Sequence, residues 1–370
     1  MKITILQGAF LPVPPLLGGA VEKMWFALGK DFVRQGHEVV QVSRSYADLP
    51  DEEWIDGVLH KRVAGYDTPA SGITLKWLDF LYTLRARHAV PADSDVVVTN
   101  TFWAPLLLPA ALRRRCIPDV ARMPKGQMKL YGAAARLRAN STPVADAIRQ
   151  ELPAAQHPRV IMVPNPLPFQ APPTLDLAAK QPVLLYTGRI HPEKGLDLLI
   201  KAFRQLPAAW KLQLVGPYET GAGGGGPAYL EELKQLAGPA NVEFTGPVYD
   251  MAALNQYYAE AAVFVYPSVA EQGETFGLAP LEAMAWGCTP IVSNLACFHD
   301  FIRHEHNGLI FDHRDARAVE LLAEAIARVQ TDASLRMALA QRALEVRQTH
   351  SIAVIAAQFL AEFARAFPAK

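Results

Sequence analysis

Two cations, Arg189 and Lys194, stand in the segment Gly188-Arg-Ile-His-Pro-Glu-Lys194-Gly195, between a run that reads as strand and one that reads as helix. Gly188 permits a sharp backbone turn there. Positive charges at a helix start, where the macrodipole also favours anions, suit a diphosphate, and arginine grips such oxygens in bidentate fashion. Taken alone, the segment also reads as a helix start with ordinary surface charges. A second segment, Glu274-Thr-Phe-Gly-Leu-Ala-Pro-Leu-Glu282, follows a strand-like run ending at Pro267-Ser268. Gly277 opens its helix, whose free N–H groups can meet an anion. Glu274 precedes that helix and Glu282 lies inside it, so the two acids can reach different parts of one extended ligand. An acid in a largely apolar helix needs a polar partner, and a ribose diol would serve; a capping acid plus a structural salt bridge is the other reading. Gly18-Gly19 opens the first helix after the proline-rich loop Pro12–Pro15. Adjacent glycines allow close approach to a ligand, or simply a tight turn.

These segments need sheet edges to carry them. Strand candidates in the first half are Lys2–Leu6, Glu38–Ser43, Asp95–Thr99, Asp119–Arg122 and Val160–Val163. Helical patterns lie between them at Ala20–Gln35, Thr74–His88 and Pro105–Arg115. The stretch Pro164–Pro173 reads as a linker. The second half restarts with the strand Pro182–Gly188 and a helix near Gly195–Gln205. Further strands are expected at Lys211–Val215, Val242–Thr245, Val263–Tyr266 and Thr289–Val292. The intervening helices fall at Ala228–Leu236, Met251–Glu260 and Leu278–Trp286. Strands alternating with helices imply right-handed crossovers, parallel sheets and ligands at the carboxyl ends of strands. Two doubly wound, Rossmann-like α/β domains facing across a cleft are therefore expected. Residues 1–168 form one, completed by the apolar helical segment 352–370, and residues 169–351 the other. The helix expected over Asp332–His350 closes the second.

Taken together, Gly18-Gly19, Gly188-Arg189 through Glu193-Lys194-Gly195, and Glu274 with Glu282 resemble glycosyltransferase family 4, whose fold is called GT-B. The resemblance spans most of the chain and is strongest from Pro182 to Phe311. It implies a retaining, metal-independent transfer of a sugar from a UDP- or GDP-sugar, with no cofactor beyond that co-substrate. Arg189, Lys194 and Glu274 would act at the reacting centre, the cations stabilising the departing diphosphate. Gly18, Gly19, Gly188, Gly246, Phe276, Gly277, Leu278 and Glu282 would line the donor, with Glu282 on the ribose and Gly246 near the base. Many family members carry a histidine just after the strand matching Asp119–Arg122. Here that place reads Met123-Pro-Lys125-Gly-Gln127. Arg122, Lys125, Gln127 and Lys129 are therefore the acceptor-side candidates, and a phosphate-bearing glycan, lipid or small molecule is the preferred acceptor.

Composition sets limits on the alternatives. The 370 residues are 51% hydrophobic and 19% charged, with zero formal net charge. That suits a soluble α/β enzyme and argues against disorder and nucleic-acid binding. Residues 1–168 carry 20 Lys and Arg against 15 Asp and Glu; the remainder carries 16 against 21. Eight bases crowd Arg113–Arg138, a block suited to phosphate or a peripheral contact with an anionic membrane, or a solvated basic face. The opening residues read as a strand rather than a secretory signal, and no apolar run is long enough to span a bilayer, so a cytoplasmic location is expected. The three scattered cysteines suggest neither disulfides nor zinc. Asp93-Ser-Asp95 matches a metal-binding triplet but precedes its strand, the end away from ligands. Gly221–Gly226 matches Gly-x-Gly-x-x-Gly but does not follow its strand directly, and reads as a flexible loop. His304-Glu-His306 is too closely spaced for one helical face. A dinucleotide-dependent oxidoreductase would need a glycine-rich turn at the first strand and an acid ending the second. Gly8 stands alone, and Ser43-Arg44 ends the second strand. An idle nucleotide-sugar-binding member of the same fold is the other alternative.

Overall fold

The β-branched run Val96–Thr99 becomes a fully buried strand in this chain, whose computed structural model describes residues 1–69, 71–170, 174–207 and 209–368. Ala171, Pro172 and Pro173 of the expected linker, and the last two residues of segment 352–370, lie outside the described residues. The chain divides into two units: Met1–Phe169 with His350–Lys370, and Gln170–Thr349.

The first unit is built on an eight-stranded sheet. In chain order come β1 (Lys2–Leu6), α1 (Ala20–Arg34), β2 (Glu38–Arg44), β3 (Glu52–Ile55), β4 (Val58–Val63) and α2 (Gly72–Ala86). There follow β5 (Val96–Thr99), the single turns α3 (Ala104–Leu107) and α4 (Ala110–Arg113), β6 (Cys116–Val120), β7 (Leu137–Ala139), α5 (Thr142–Glu151) and β8 (Val160–Met162). The order across the sheet is β3-β4-β2-β1-β5-β6-β7-β8, and only β3 pairs antiparallel.

The second unit opens with β9 (Gln181–Thr187), α6 (Leu196–Phe203), β10 (Lys211–Val215), α7 (Gly226–Ala237), β11 (Val242–Gly246) and α8 (Met251–Glu260). It continues through β12 (Ala261–Tyr266), α9 (Leu278–Ala285), β13 (Thr289–Ser293), β14 (Leu309–Phe311), α10 (Ala318–Thr331), α11 (Ala333–Ala343) and α12 (Val346–Thr349). Its six strands are all parallel, in the order β11-β10-β9-β12-β13-β14. The last helix, α13 (Ile352–Ala366), packs in the first unit, where Phe359 meets Trp25 at 5.0 Å and Phe363 meets Phe32 at 6.0 Å between ring centroids. Met24, Trp25, Leu28 and Phe32 recur at helical spacing along α1, so one face of that helix is buried against sheet and α13 together.

Several elements depart from the sequence reading. The single helix expected over Pro105–Arg115 is two short turns, because Pro109 cannot donate within a helix and holds Leu108 extended. The strand expected at Asp119–Arg122 runs earlier, over Cys116–Val120. The helix expected over Asp332–His350 is split into α11 and α12. The β3–β4 hairpin was not anticipated, although its turn is Asp56-Gly57, both with positive φ (50° and 80°), the pairing a tight hairpin favours. The three cysteines are free and buried, and burial pushes the Cys116 and Cys297 thiols up.

Candidate donor and acceptor sites

In the second unit the expected segments meet at the carboxyl ends of β9 and β12. Gly188 follows β9 with φ +147°, and a side chain there would press on the Tyr186 hydroxyl at 2.8 Å. Gly216, which follows β10, packs so closely that a Cβ would lie 1.9 Å from the Gly188 carbonyl oxygen. The two glycines thus let neighbouring strand ends touch backbone to backbone. Arg189 is half exposed; it donates to the Glu193 carboxylate at 2.7 Å and to the Gly223 carbonyl at 2.8 Å. The glycine-rich loop set aside in the sequence therefore anchors this arginine. Lys194 ends a 3-10 turn, and its ammonium lies 2.7 Å from Glu274. Both side chains are close to buried, at 7% and 12% exposure. The Tyr266 hydroxyl donates to the same Glu274 oxygen at 3.1 Å, and the lysine also sits over the Tyr266 ring. Tyr266 and Tyr186 stack, and burial among these acids holds both phenols well above their ordinary range.

Glu282 is buried on α9, where the Tyr258 hydroxyl donates to it at 2.9 Å. The same hydroxyl lies 2.7 Å from Thr187 Oγ1. Desolvation, reinforced by Glu282, raises the Tyr258 phenol well above its usual value and keeps it a donor. The polar partner that the sequence demanded for Glu282 is thus partly a tyrosine from α8, 24 residues upstream. Tyr258 and Tyr266 were missed, since aromatic residues in a helix and a strand look like core until their hydroxyl ends are located. Gly277 caps α9 at φ +92°, and a Cβ there would strike the Phe298 ring at 2.5 Å. Phe276 is buried against Phe301, while Leu278 is half-buried. Gly246 ends β11 with φ +81° and lines a cavity of about 250 Å³ shared with Gly216, Tyr218, Lys234, Phe244 and Thr245.

The other candidates lie in the first unit. Gly18 and Gly19 have φ +78° and +92°, and Gly19 caps α1. A Cβ on Gly19 would fall 2.1 Å from Glu22 Oε2, whereas Gly18 faces open space. Glu22, unanticipated, is the third residue of α1; burial raises its carboxyl above the ordinary range, with nearby Arg122 opposing that shift. Arg122, Lys125 and Lys129 are exposed on the segment after β6. Gln127 is half-buried, and its side-chain oxygen accepts from Lys125 N at 2.6 Å. Glu151 clamps the same loop through the Gly126 and Met128 amides.

The basic block is not one patch. Arg138 is wholly buried, paired with Asp119 and donating to Val163 O and to Asn165 Oδ1 at 2.7 and 2.8 Å. Arg113–Arg115 precede β6 and the bases at 122–129 follow it, so a strand of roughly 17 Å separates them. Arg115 is tied to the Ser94 carbonyl at the amino end of β5. Asp93 and Asp95 hold Lys2 at the same edge, through its ammonium and its amide. His304 accepts from Ile310 N within a turn. Among the described residues no helix is long and apolar enough to cross a membrane, and no group of three His, Cys, Asp or Glu is poised to hold a metal ion.

Residues 170–346 match the model of the family described as glycosyl transferases group 1, a stretch that coincides with the second unit. A D-inositol 3-phosphate glycosyltransferase of Streptomyces bingchenggensis is 31% identical over 216 residues, covering 54% of this chain and 47% of that protein. The chain spans about half the length of the first curated relatives it matches. The sucrose-phosphate synthase of Thermosynechococcus elongatus superposes over all of both chains with a TM-score of 0.79 at 22% identity. HepE of Anabaena, solved in complex with UDP-glucose, superposes over 99% of this chain and all of that one, with a TM-score of 0.70 at 19% identity. Residues 170–346 therefore match a glycosyltransferase group 1 domain, and the two α/β units have the GT-B fold expected from the sequence.

Proposed function

We propose that this protein is a retaining glycosyltransferase of family 4 type, which moves a sugar from a UDP- or GDP-sugar to an acceptor and needs no metal. The observation that carries the reading is the Lys194–Glu274 pair at 2.7 Å, with the ammonium over the Tyr266 ring and the Tyr266 hydroxyl on the acid, within the stretch that matches the glycosyltransferase group 1 model. A cation and an acid this close to buried are held ready at the carboxyl ends of two parallel strands, where α/β sheets bind ligands.

In this reading the bond between the anomeric carbon and the diphosphate oxygen breaks, and the electron pair leaves with the diphosphate. Arg189 and Lys194 meet the growing charge, which is electrostatic stabilisation of the transition state. The amides at the start of α9 add donors toward sugar hydroxyls and phosphate. Glu274 faces the transferred sugar and Glu282, steadied by Tyr258, takes the ribose. The cavity beside Gly246 takes the base between Tyr218 and Phe244. The acceptor oxygen attacks from the face the leaving group departs and passes its proton to the diphosphate.

The acceptor bears phosphate, recognised by Arg122, Lys125 and Lys129 with Gln127 shaping the loop. The name of the Streptomyces relative, which acts on inositol 3-phosphate, agrees with this choice. The enzyme works in the cytoplasm, in peripheral contact with an anionic membrane surface. Calorimetric titration with UDP and GDP, followed by turnover with a panel of their sugars, tests the reading. Micromolar binding with sugar transfer to a phosphorylated acceptor is expected. Binding without transfer would leave a carrier of nucleotide sugars, and absence of binding would remove the site.

A further inference from the structure

We propose that the amino-terminal half of α2 is a membrane-docking surface that seats its apolar side chains in an anionic lipid bilayer. This deepens the membrane part of the proposed function, moving the contact from the basic block to a named helix. It is independent of sugar transfer. Ile73 and Trp77, one helical turn apart, are 85% and 58% exposed, among the highest values for large apolar side chains here. Helices of water-facing surfaces rarely spend such residues on solvent; a contiguous apolar face signals a partner.

The face is rigid rather than incidental. Trp77 stacks on Phe80 at 5.6 Å, Phe80 meets Trp103 edge-on at 5.2 Å, Trp103 meets Phe102 at 4.9 Å, and Phe102 meets buried Tyr131 at 6.2 Å. This aromatic ladder ties an exposed tryptophan to the core, and the Trp103 indole donates to the Lys76 carbonyl at 2.8 Å. Leu130, next to Tyr131, is 53% exposed.

Charge selects the partner. Lys76 is exposed on the same helix with its ammonium over Phe102, and Lys129 flanks Leu130. The acid of α2, Asp79, is buried beneath the helix and accepts from Phe102 N. The nearby Asp67 is paired with Arg44, and Glu151 is occupied by backbone amides. Apolar and indole side chains flanked by lysines, with no free acid among the charged groups named, match an anionic lipid surface, where tryptophan favours the interface and lysine the headgroups. A protein partner of ordinary polarity would not call for that combination.

Sedimentation with vesicles tests this. The full chain should pellet with phosphatidylcholine vesicles carrying about 30% phosphatidylglycerol and not with phosphatidylcholine alone. Trp77→Glu and Ile73→Glu should each lower partitioning at least about tenfold, with circular dichroism unchanged in both, melting unchanged in Ile73→Glu and slightly lowered in Trp77→Glu, which gives up the Phe80 stack. Lys76→Gln should weaken binding and flatten its salt dependence. Three outcomes overturn the proposal: Trp77→Glu partitioning like the wild type, loss of binding only when Arg113, Arg114 and Arg115 become Gln, or a lipid-free dimer that Trp77→Glu dissolves. Donor titration of the same variants, expected unchanged, keeps this test separate from that of the transferase reading.

Discussion

Lys194 and Glu274, 80 residues apart in sequence, meet at 2.7 Å in a pocket that leaves each almost without water. Their contact makes the two variants unequal. Lys194→Ala strands a carboxylate with only the Tyr266 hydroxyl for company, and breaking such a pair from one side costs about 3–5 kcal/mol when it is fully buried. A lowered melting temperature and weakened UDP or GDP binding should therefore appear together. Glu274→Gln keeps an acceptor for Tyr266 and removes only the anion. With the Lys194 ammonium then facing a neutral amide oxygen, it should melt below the wild type, though by less than Lys194→Ala, bind the nucleotide with little change and lose at least about tenfold in turnover. Equal losses of affinity and turnover in Glu274→Gln would make the acid a binding group only.

Tyr258→Phe deletes one oxygen that serves both Glu282 and Thr187, at 2.9 and 2.7 Å. The ring stays, so packing is preserved, but a buried carboxylate loses a donor, worth about 1–3 kcal/mol. Calorimetry should show nucleoside diphosphate affinity falling by one to two decades, roughly. A free nucleobase, which does not need the ribose contact, should bind as before. Unchanged diphosphate affinity would detach Glu282 from the ribose.

How much of this was legible beforehand varies with how local each signal is. Strands such as Lys211–Val215, and the helix Met251–Glu260, were placed to the residue, because alternation of short apolar runs with amphipathic stretches is a local signal. The sequence suggests Gly19, Gly188 and Gly277 as donor contacts, yet at each the missing Cβ is needed first by a neighbouring protein atom. The Lys194–Glu274 contact and the Tyr258 support of Glu282 depend on which strand ends lie side by side, and the order β10-β9-β12 is not written in any single segment. Arg138 shows the same limit. In sequence it is one more base in a cationic run. In the fold its position at the centre of a three-residue strand sends it inward to Asp119, which also accepts from the Trp25 indole at 2.8 Å.

Gly18 and Gly19 should respond differently to alanine. Both have positive φ, which costs an alanine on the order of 1 kcal/mol. Gly18→Ala meets nothing within 4 Å and should stop at that. Gly19→Ala also drives a methyl into the Glu22 carboxylate and Leu11, at 2.1 and 2.7 Å, so the loop or the start of α1 must shift. Thermal melts should separate the two by several degrees, and transfer activity should fall much further in Gly19→Ala. Adding Glu22→Ala to Gly19→Ala should restore part of the loss by vacating the space.

Asp79 links the α2 surface to a pH dependence. Burial raises its carboxyl from 3.8 to about 6, against the opposing hydrogen bonds from the Phe102 and Trp103 amides. In the unfolded chain the group ionises near its ordinary value, so between about pH 4 and 6 the folded state holds the extra proton. Stability from this group is therefore greatest below that window, declines as pH rises through it, and stays at its lower level above. A two-unit shift corresponds to roughly 3 kcal/mol. Asp79→Asn cannot ionise and keeps an oxygen for the Phe102 amide. Relative to the wild type it should gain stability on going from pH 4 to pH 7, by up to about that amount, in urea melts at each pH. A difference that stays flat across the window would mean that Asp79 is already charged in the folded state and that the helix is held down by an ionised carboxylate.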